Sequence, residues 1–142
     1  MDQTDLKILE LLQQNARTTI SQLGRMINMT QPAVSERVRK LEEQGVISGY
    51  HAVIDPEKLG KQVTSFVLVQ ANDCGKLTEF CKQTSEVVEM YQLSGDFNYI
   101  LKVVTHSLKT MNQFILMCSK YGFTKTMTVM STPIKSKTIS SE

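Results

Sequence analysis

The sequence predicts an α+β fold in two small domains. Three observations carry this: apolar stripes at helical spacing in three successive segments before Gly45, a proline- and glycine-punctuated break at Asp55-Pro56-Glu57-Lys58-Leu59-Gly60, and a β-α-β-β-α-β order of patterns beyond it. At 142 residues the chain would be one domain on length alone, but the helical part uses only the first third, so the remainder must build a second core. Residues 1–50 are expected to form the first domain, 51–62 a linking strand and hinge, and 63–142 the second.

The first helix opens at Asp2 and Asp5, whose carboxylates suit the positive end of a helix dipole. It carries Leu6, Leu9 and Leu12, with Ile8 beside them, to about Asn15. Thr19-Ile20-Ser21-Gln22 has the spacing of a capping box and opens a short helix with Ile20, Leu23 and Ile27 on one face. A turn at Asn28-Met29 leads to a third helix from Thr30 to Leu41, closed by Gly45. Thr30 is placed to cap it through its hydroxyl, Pro32 falls in the first turn where a missing N–H is harmless, and Gly45 can take the left-handed conformation that ends a helix. At about 100° per residue, Val34, Val38 and Leu41 point one way. Pro32, Glu36 and Arg39 point the other way, with Ser35 and Lys40 on the flanks. Helix, short helix, tight turn and a helix with a polar outer face is the helix-turn-helix order, in which the last helix enters the major groove.

Charge adds a local argument. The chain is +2 overall, and residues 1–50 balance six bases against six acids. Between Arg17 and Lys40, however, the bases Arg17, Arg25, Arg37, Arg39 and Lys40 meet a single acid, Glu36, which concentrates phosphate-facing charge on the second and third helices. The alternative is an ordinary solvated charged face; three helices in the right order favour DNA. The expected contact residues are Arg25, Thr30, Gln31, Pro32, Ser35, Glu36, Arg37, Arg39 and Lys40. Ser35 and Arg39 are expected at base edges, and Arg25, Arg37 and Lys40 at phosphates. The small net excess implies modest affinity per protomer, and so a dimer or larger assembly on double-stranded DNA.

Other chemistries find little support. Cys74, Cys81 and Cys118 lack CxxC spacing; their odd number and the lack of a signal-peptide pattern point to a reducing cytoplasm, where they are expected as buried small hydrophobes. His51 and His106 share no metal-ligand spacing with cysteine. The sequence holds no Gly-rich phosphate loop, Gly-x-Ser-x-Gly elbow or Cys-His signature. Neither catalytic residues, nor a metal, nor a cofactor is expected. No apolar run approaches the ~18 residues that span a bilayer, so a cytoplasmic protein without a membrane partner is expected.

Past Gly45, Val46-Ile47 and Tyr50 to Ile54 have extended character and read either as a wing against DNA or as a linking strand that pairs with a partner protomer. Strands follow at Ser65–Ala71, Val87–Leu93, Phe97–Val104 and Phe123–Met130. Between them lie helices at Lys76–Thr84, with Leu77, Phe80 and Cys81 inward, and Leu108–Tyr121, with Leu108, Met111, Phe114, Ile115 and Cys118 inward. Met111 and Met127 are expected to pack against the sheet. This is the split βαβ, ferredoxin-like order. Two helices on one sheet face leave the other face needing a cover, and a second protomer supplies one.

Together Asp2 and Asp5 before Leu6-Lys7-Ile8-Leu9, Asn15-Ala16-Arg17, Leu23-Gly24, Val34-Ser35-Glu36-Arg37-Val38, Leu41-Glu42, Gly45-Val46-Ile47, Tyr50 and Leu59-Gly60 resemble the leucine-responsive and asparagine-responsive (Lrp/AsnC, feast/famine) transcription regulators. Gly95-Asp96-Phe97-Asn98-Tyr99 is similar to that family's Gly-x-x-Asp-Tyr turn near its effector site, with Asn98 in place of the usual aspartate. The resemblance implies a winged helix-turn-helix joined to a ligand-sensing ferredoxin-like domain, dimers built through that domain, and tetramers to octamers on DNA. It also implies an amino-acid effector bordered by Gly95, Asp96, Phe97, Asn98 and Tyr99; a plain strand-to-strand turn is the alternative for that segment. Two functions are carried forward, a regulator whose assembly or DNA binding a small effector modulates, and an architectural DNA-bending protein without one.

Overall fold

The computed structural model describes residues 1–139. The chain forms two compact units: Met1–Val53, joined by residues 134–139, and Ile54–Pro133. The final segment thus lies with the first unit, where Gln13 donates to the carbonyl of Ile139 at 3.1 Å and accepts from its N–H at 2.8 Å.

In the first unit α1 spans Gln3–Gln14, α2 Ile20–Ile27 and α3 Gln31–Glu43. Asp2 and Asp5 form a capping box at the start of α1, each carboxylate accepting from the other's backbone N–H at 2.9 Å. Thr19 and Gln22 do the same at α2. Ile8, Leu23, Val34, Val38 and Leu41 form the buried core. Ile8 is the fully buried position of α1, while Leu9 and Leu12 pack at the margin of that core. α2 ends at Asn28, in the left-handed region at φ +55°, where its N–H bonds the Gly24 carbonyl. A Cβ on Gly24 would lie 2.6 Å from the Met29 carbonyl oxygen, so only glycine admits a turn this tight between α2 and α3.

Thr30 occupies the cap position of α3, but its side chain makes no capping bond, contrary to the sequence expectation. The other end matches it. With Gly45 at φ +70°, the Gly45 N–H bonds the Glu42 carbonyl and the Val46 N–H that of Leu41, the paired bonds of a Schellman motif. Within one protomer Tyr50–Ile54 pairs with no strand among the described residues, and Val53 is 96% exposed; the pairing expected of this segment is with a second protomer.

The second unit runs β1 (Val63–Ala71), α4 (Cys74–Gln83), β2 (Val87–Gln92), β3 (Tyr99–Thr105), α5 (Leu108–Cys118) and β4 (Gly122–Thr128). The strands form an antiparallel sheet in the order β2-β3-β1-β4. α4 and α5 cover one face, burying Val67, Val69, Leu101 and Val103 against Leu77, Cys81, Met111, Phe114 and Cys118. Burial pushes the Cys81 thiol up to about 11 and that of Cys118 up to about 12, so both stay protonated and apolar in character. Three expected core positions are not core. Leu108 is the first residue of α5 after its Ser107 cap and is 68% exposed; Cys74 opens α4 at the surface; Met127 lies on the opposite sheet face.

Alternation along the strands leaves that opposite face bare. Phe66 and Leu68 of β1, Tyr91 of β2, Ile100 of β3, and Phe123 and Met127 of β4 share it, as the register Tyr91 to Ile100 to Leu68 shows, and an ion pair of Lys102 with Glu89 at 2.7 Å crosses it.

Candidate DNA interface and effector turn

α3 presents Gln31, Pro32, Ser35, Glu36, Arg39 and Lys40 to solvent, while Val34, Val38 and Leu41 anchor its inner face. The side chains on the outer face are not independent. Arg39 donates from Nε to Glu36 Oε2 at 3.0 Å and from Nη2 to Oε1 at 2.6 Å, a bidentate fork, and from Nη1 to Glu43. Lys40 Nζ lies 3.7 Å from Glu36. The hydrogen bonds from Arg39 hold the Glu36 carboxyl below its usual range, and the same contacts hold the Arg39 guanidinium above its own.

Arg37, expected at phosphates, is engaged within its own unit. Its Nη1 donates to Asp2 at 2.8 Å and to Asp5 at 2.7 Å, so it clamps α3 to the first turn of α1. Only 30% of its side chain is exposed. Arg25 is exposed on α2, braced by Ser21 Oγ at 3.3 Å. It lines a shallow cleft at the α2–α3 turn with Ser21, Asn28, Met29, Thr30 and Gln31. At the C-terminal end of α3, the Tyr50 hydroxyl donates to Glu42 at 2.8 Å; its partial burial and that carboxylate push its pKa up to about 12. Sequence reasoning missed Ser21, Tyr50 and the Asp2–Arg37–Asp5 clamp as features of this site. An arginine's place on a helical wheel gives no sign of a partner more than 30 residues away.

The Gly95–Tyr99 segment sits between β2 and β3. Gly95 takes φ +122° with open space where a Cβ would be, and Asp96 is exposed. Phe97 lies 6.1 Å, ring to ring, from Phe123 on β4. The Asn98 side chain is engaged elsewhere. Its Oδ1 accepts from the Ala71 N–H at 2.7 Å and its Nδ2 donates to the Ala71 carbonyl at 3.3 Å, so the carboxamide stands in for one more peptide unit at the end of the β1–β3 ladder. Tyr99 is buried, its hydroxyl directed to Cys74 and Thr78 on α4. The five residues therefore split, with Gly95 and Asp96 at the surface and Asn98 and Tyr99 turned into the unit.

A helix-turn-helix unit with a charged third helix, followed by a βαββαβ unit with one bare sheet face, defines a DNA-binding regulator of the two-domain kind. Residues 1–48 match the winged helix-turn-helix DNA-binding family, and residues 63–139 match the Lrp/AsnC ligand binding domain. The chain belongs to the Lrp/AsnC family of transcription regulators. It is 42% identical over 131 residues to the uncharacterized HTH-type transcriptional regulator YezC of Bacillus subtilis, covering 92% of this chain and 94% of that one. The structure of LrpC of B. subtilis superposes with a TM-score of 0.91 at 32% identity, over 96% of this chain and 99% of that one. Regulator NMB0573 of Neisseria meningitidis, whose structure is a complex with L-Met, shares the fold at a TM-score of 0.88 and 24% identity, over 98% of this chain and 96% of that one.

Proposed function

We propose that this regulator reads DNA as a homodimer, presenting two α3 helices to half-sites about one helical turn, or a multiple of it, apart. The observation that carries the reading is the outer face of α3, where Gln31, Ser35, Glu36, Arg39 and Lys40 stand exposed over a fully buried Val34. Ser35 and Arg39 reach base edges, and Lys40 and Arg25 meet phosphates. Arg37 is left out of the phosphate set because the clamp to α1 engages it. Salt titration of binding to a selected operator tests this. Arg39→Ala is expected to weaken the operator by about 5- to 100-fold and flatten sequence preference, whereas Lys40→Ala weakens all duplexes alike and lowers the salt slope by about one. An unchanged operator preference in the Arg39 variant would remove α3's outer face from the interface.

For the second unit we favour modulation by a small amino acid at the Gly95–Asp96 turn, with the exposed Asp96 carboxylate as partner for the ligand ammonium. The family match and the amino acid bound in the Neisseria relative support this. The engagement of Asn98 by Ala71 favours the second reading, an architectural protein without an effector, since the Asn98 carboxamide is committed to the sheet. A thermal-shift panel of free amino acids separates the two, because a ligand of the native state raises its apparent stability. Under the effector reading one of them raises the melting temperature of the wild type, and Asp96→Ala abolishes that shift. A flat panel favours the architectural protein.

A further inference from the structure

The fork between Arg39 and Glu36 joins a base-reading arginine to a carboxylate on the same outward face, in a helix expected to enter a polyanion. A carboxylate there repels every phosphate equally and finds no favourable partner on the DNA backbone. The major groove offers it two amino donors, N4 of cytosine and N6 of adenine, of which adenine sets its N7 acceptor beside the amino group and so repels a carboxylate, and it offers the arginine the O6 and N7 acceptors of guanine. Glu36 and Arg39 are three residues apart, a rise of about 4.5 Å along the helix, close to the ~3.4 Å separation of neighbouring base pairs. Away from DNA the two groups satisfy each other at 2.6 and 3.0 Å, with Glu43 on the remaining Nη1 and Lys40 at 3.7 Å from Glu36.

We infer that Glu36 is a specificity-determining residue that reads a cytosine amino group in each half-site, next to the base pair read by Arg39. This rests on the reading of α3 as the recognition helix. Entry into the groove separates the fork. A site with cytosine and guanine at adjacent pairs returns a partner to both side chains; guanine or thymine at the cytosine position leaves the carboxylate unpaired against phosphates, and adenine offers its amino group only beside the repelling N7. Glu36 thereby lowers affinity for non-specific DNA, whereas Glu43, which faces the same guanidinium, is the last residue of α3.

The experiment is selection from a randomised duplex library by the full-length wild type, Glu36→Gln, Glu36→Ala and Arg39→Ala, each checked for fold by circular dichroism, followed by salt titration on the selected and a scrambled duplex. Wild type is expected to select cytosine at one position per half-site. Glu36→Gln should move that position toward adenine, whose N6 and N7 a glutamine matches, and Glu36→Ala should flatten it. Both variants should bind the scrambled duplex about tenfold more tightly with a salt slope steeper by about one charge per protomer. Unchanged base preference and unchanged scrambled binding in both Glu36 variants overturn the inference. If Arg39→Ala alters selection while the Glu36 variants do not, only the role of Glu36 fails. If none of the three alters it, the placement of α3 in the groove fails as well.

Discussion

Arginines of one short segment serve two different purposes here, and their partners decide which. Arg39 is held by acids of its own helix at the surface, so under the proposed reading DNA exchanges one set of hydrogen bonds for another. Arg37 is held by Asp2 and Asp5 of another helix, so its contribution is to fix α3 on α1. The Asp2 carboxyl is held below its ordinary 3.8, first by the Asp5 backbone N–H and then by Arg37. A folded pKa below the unfolded one gives stabilisation that is fully present above the unfolded value and disappears as pH falls through the folded one. Relative to wild type, Asp2→Asn is therefore expected to melt at lower temperature at pH 7, with the gap constant down to about pH 5 and closing below pH 4. Melting curves for both proteins across that range check it. A gap that stays constant to pH 2 would show that the carboxylate at position 2 is not its source.

At the scale of elements, what was legible in the sequence is what short-range chemistry determines. The Thr19–Gln22 capping box, the Gly45 helix end and both helices and all four strands of the second unit follow from spacing, caps and alternation, with boundaries moved by a few residues at most. The misses share a cause. Thr30 has the right residue type for a cap but its hydroxyl does not accept, and Leu108 fits the apolar wheel of α5 but sits at its exposed first turn. Periodicity names the face a residue occupies, and it cannot name the group that meets it there. The candidate site shows the same division. The outer face of α3 was readable from the wheel, whereas the Arg39 fork, the Arg37 clamp and the pairing of Asn98 with the Ala71 peptide depend on side-chain geometry and long-range contacts. Asn98 in particular stands where the family resemblance has an aspartate, and its pairing with the Ala71 peptide at the end of a sheet ladder is a contact 27 residues away that no local pattern signals.

For the whole molecule the decisive feature is the bare face of the second sheet. Phe66, Leu68, Tyr91, Ile100, Phe123 and Met127 lie together on it, and Phe123 alone is 65% exposed. A sheet face that exposes this many large apolar side chains marks an interaction site, and a second copy offers a self-complementary match. Leu68 lies on β1, between β3 and β4, with Ile100 and Lys125 as its cross-strand neighbours. Leu68→Lys would place two unpaired ammonium groups in a two-fold interface, each beside a lysine, while the face packed on α4 and α5 stays unaltered. The expected outcome is a folded monomer at micromolar concentration, with dimer affinity lowered at least about 100-fold. Operator affinity should fall with it, and the salt slope should drop to about half, since one α3 then meets phosphates in place of two. Sedimentation and a salt titration on the same preparation measure both. A Leu68→Lys protein that remains dimeric would place the interface elsewhere, and one that becomes monomeric while keeping full operator affinity would separate DNA reading from dimerisation altogether.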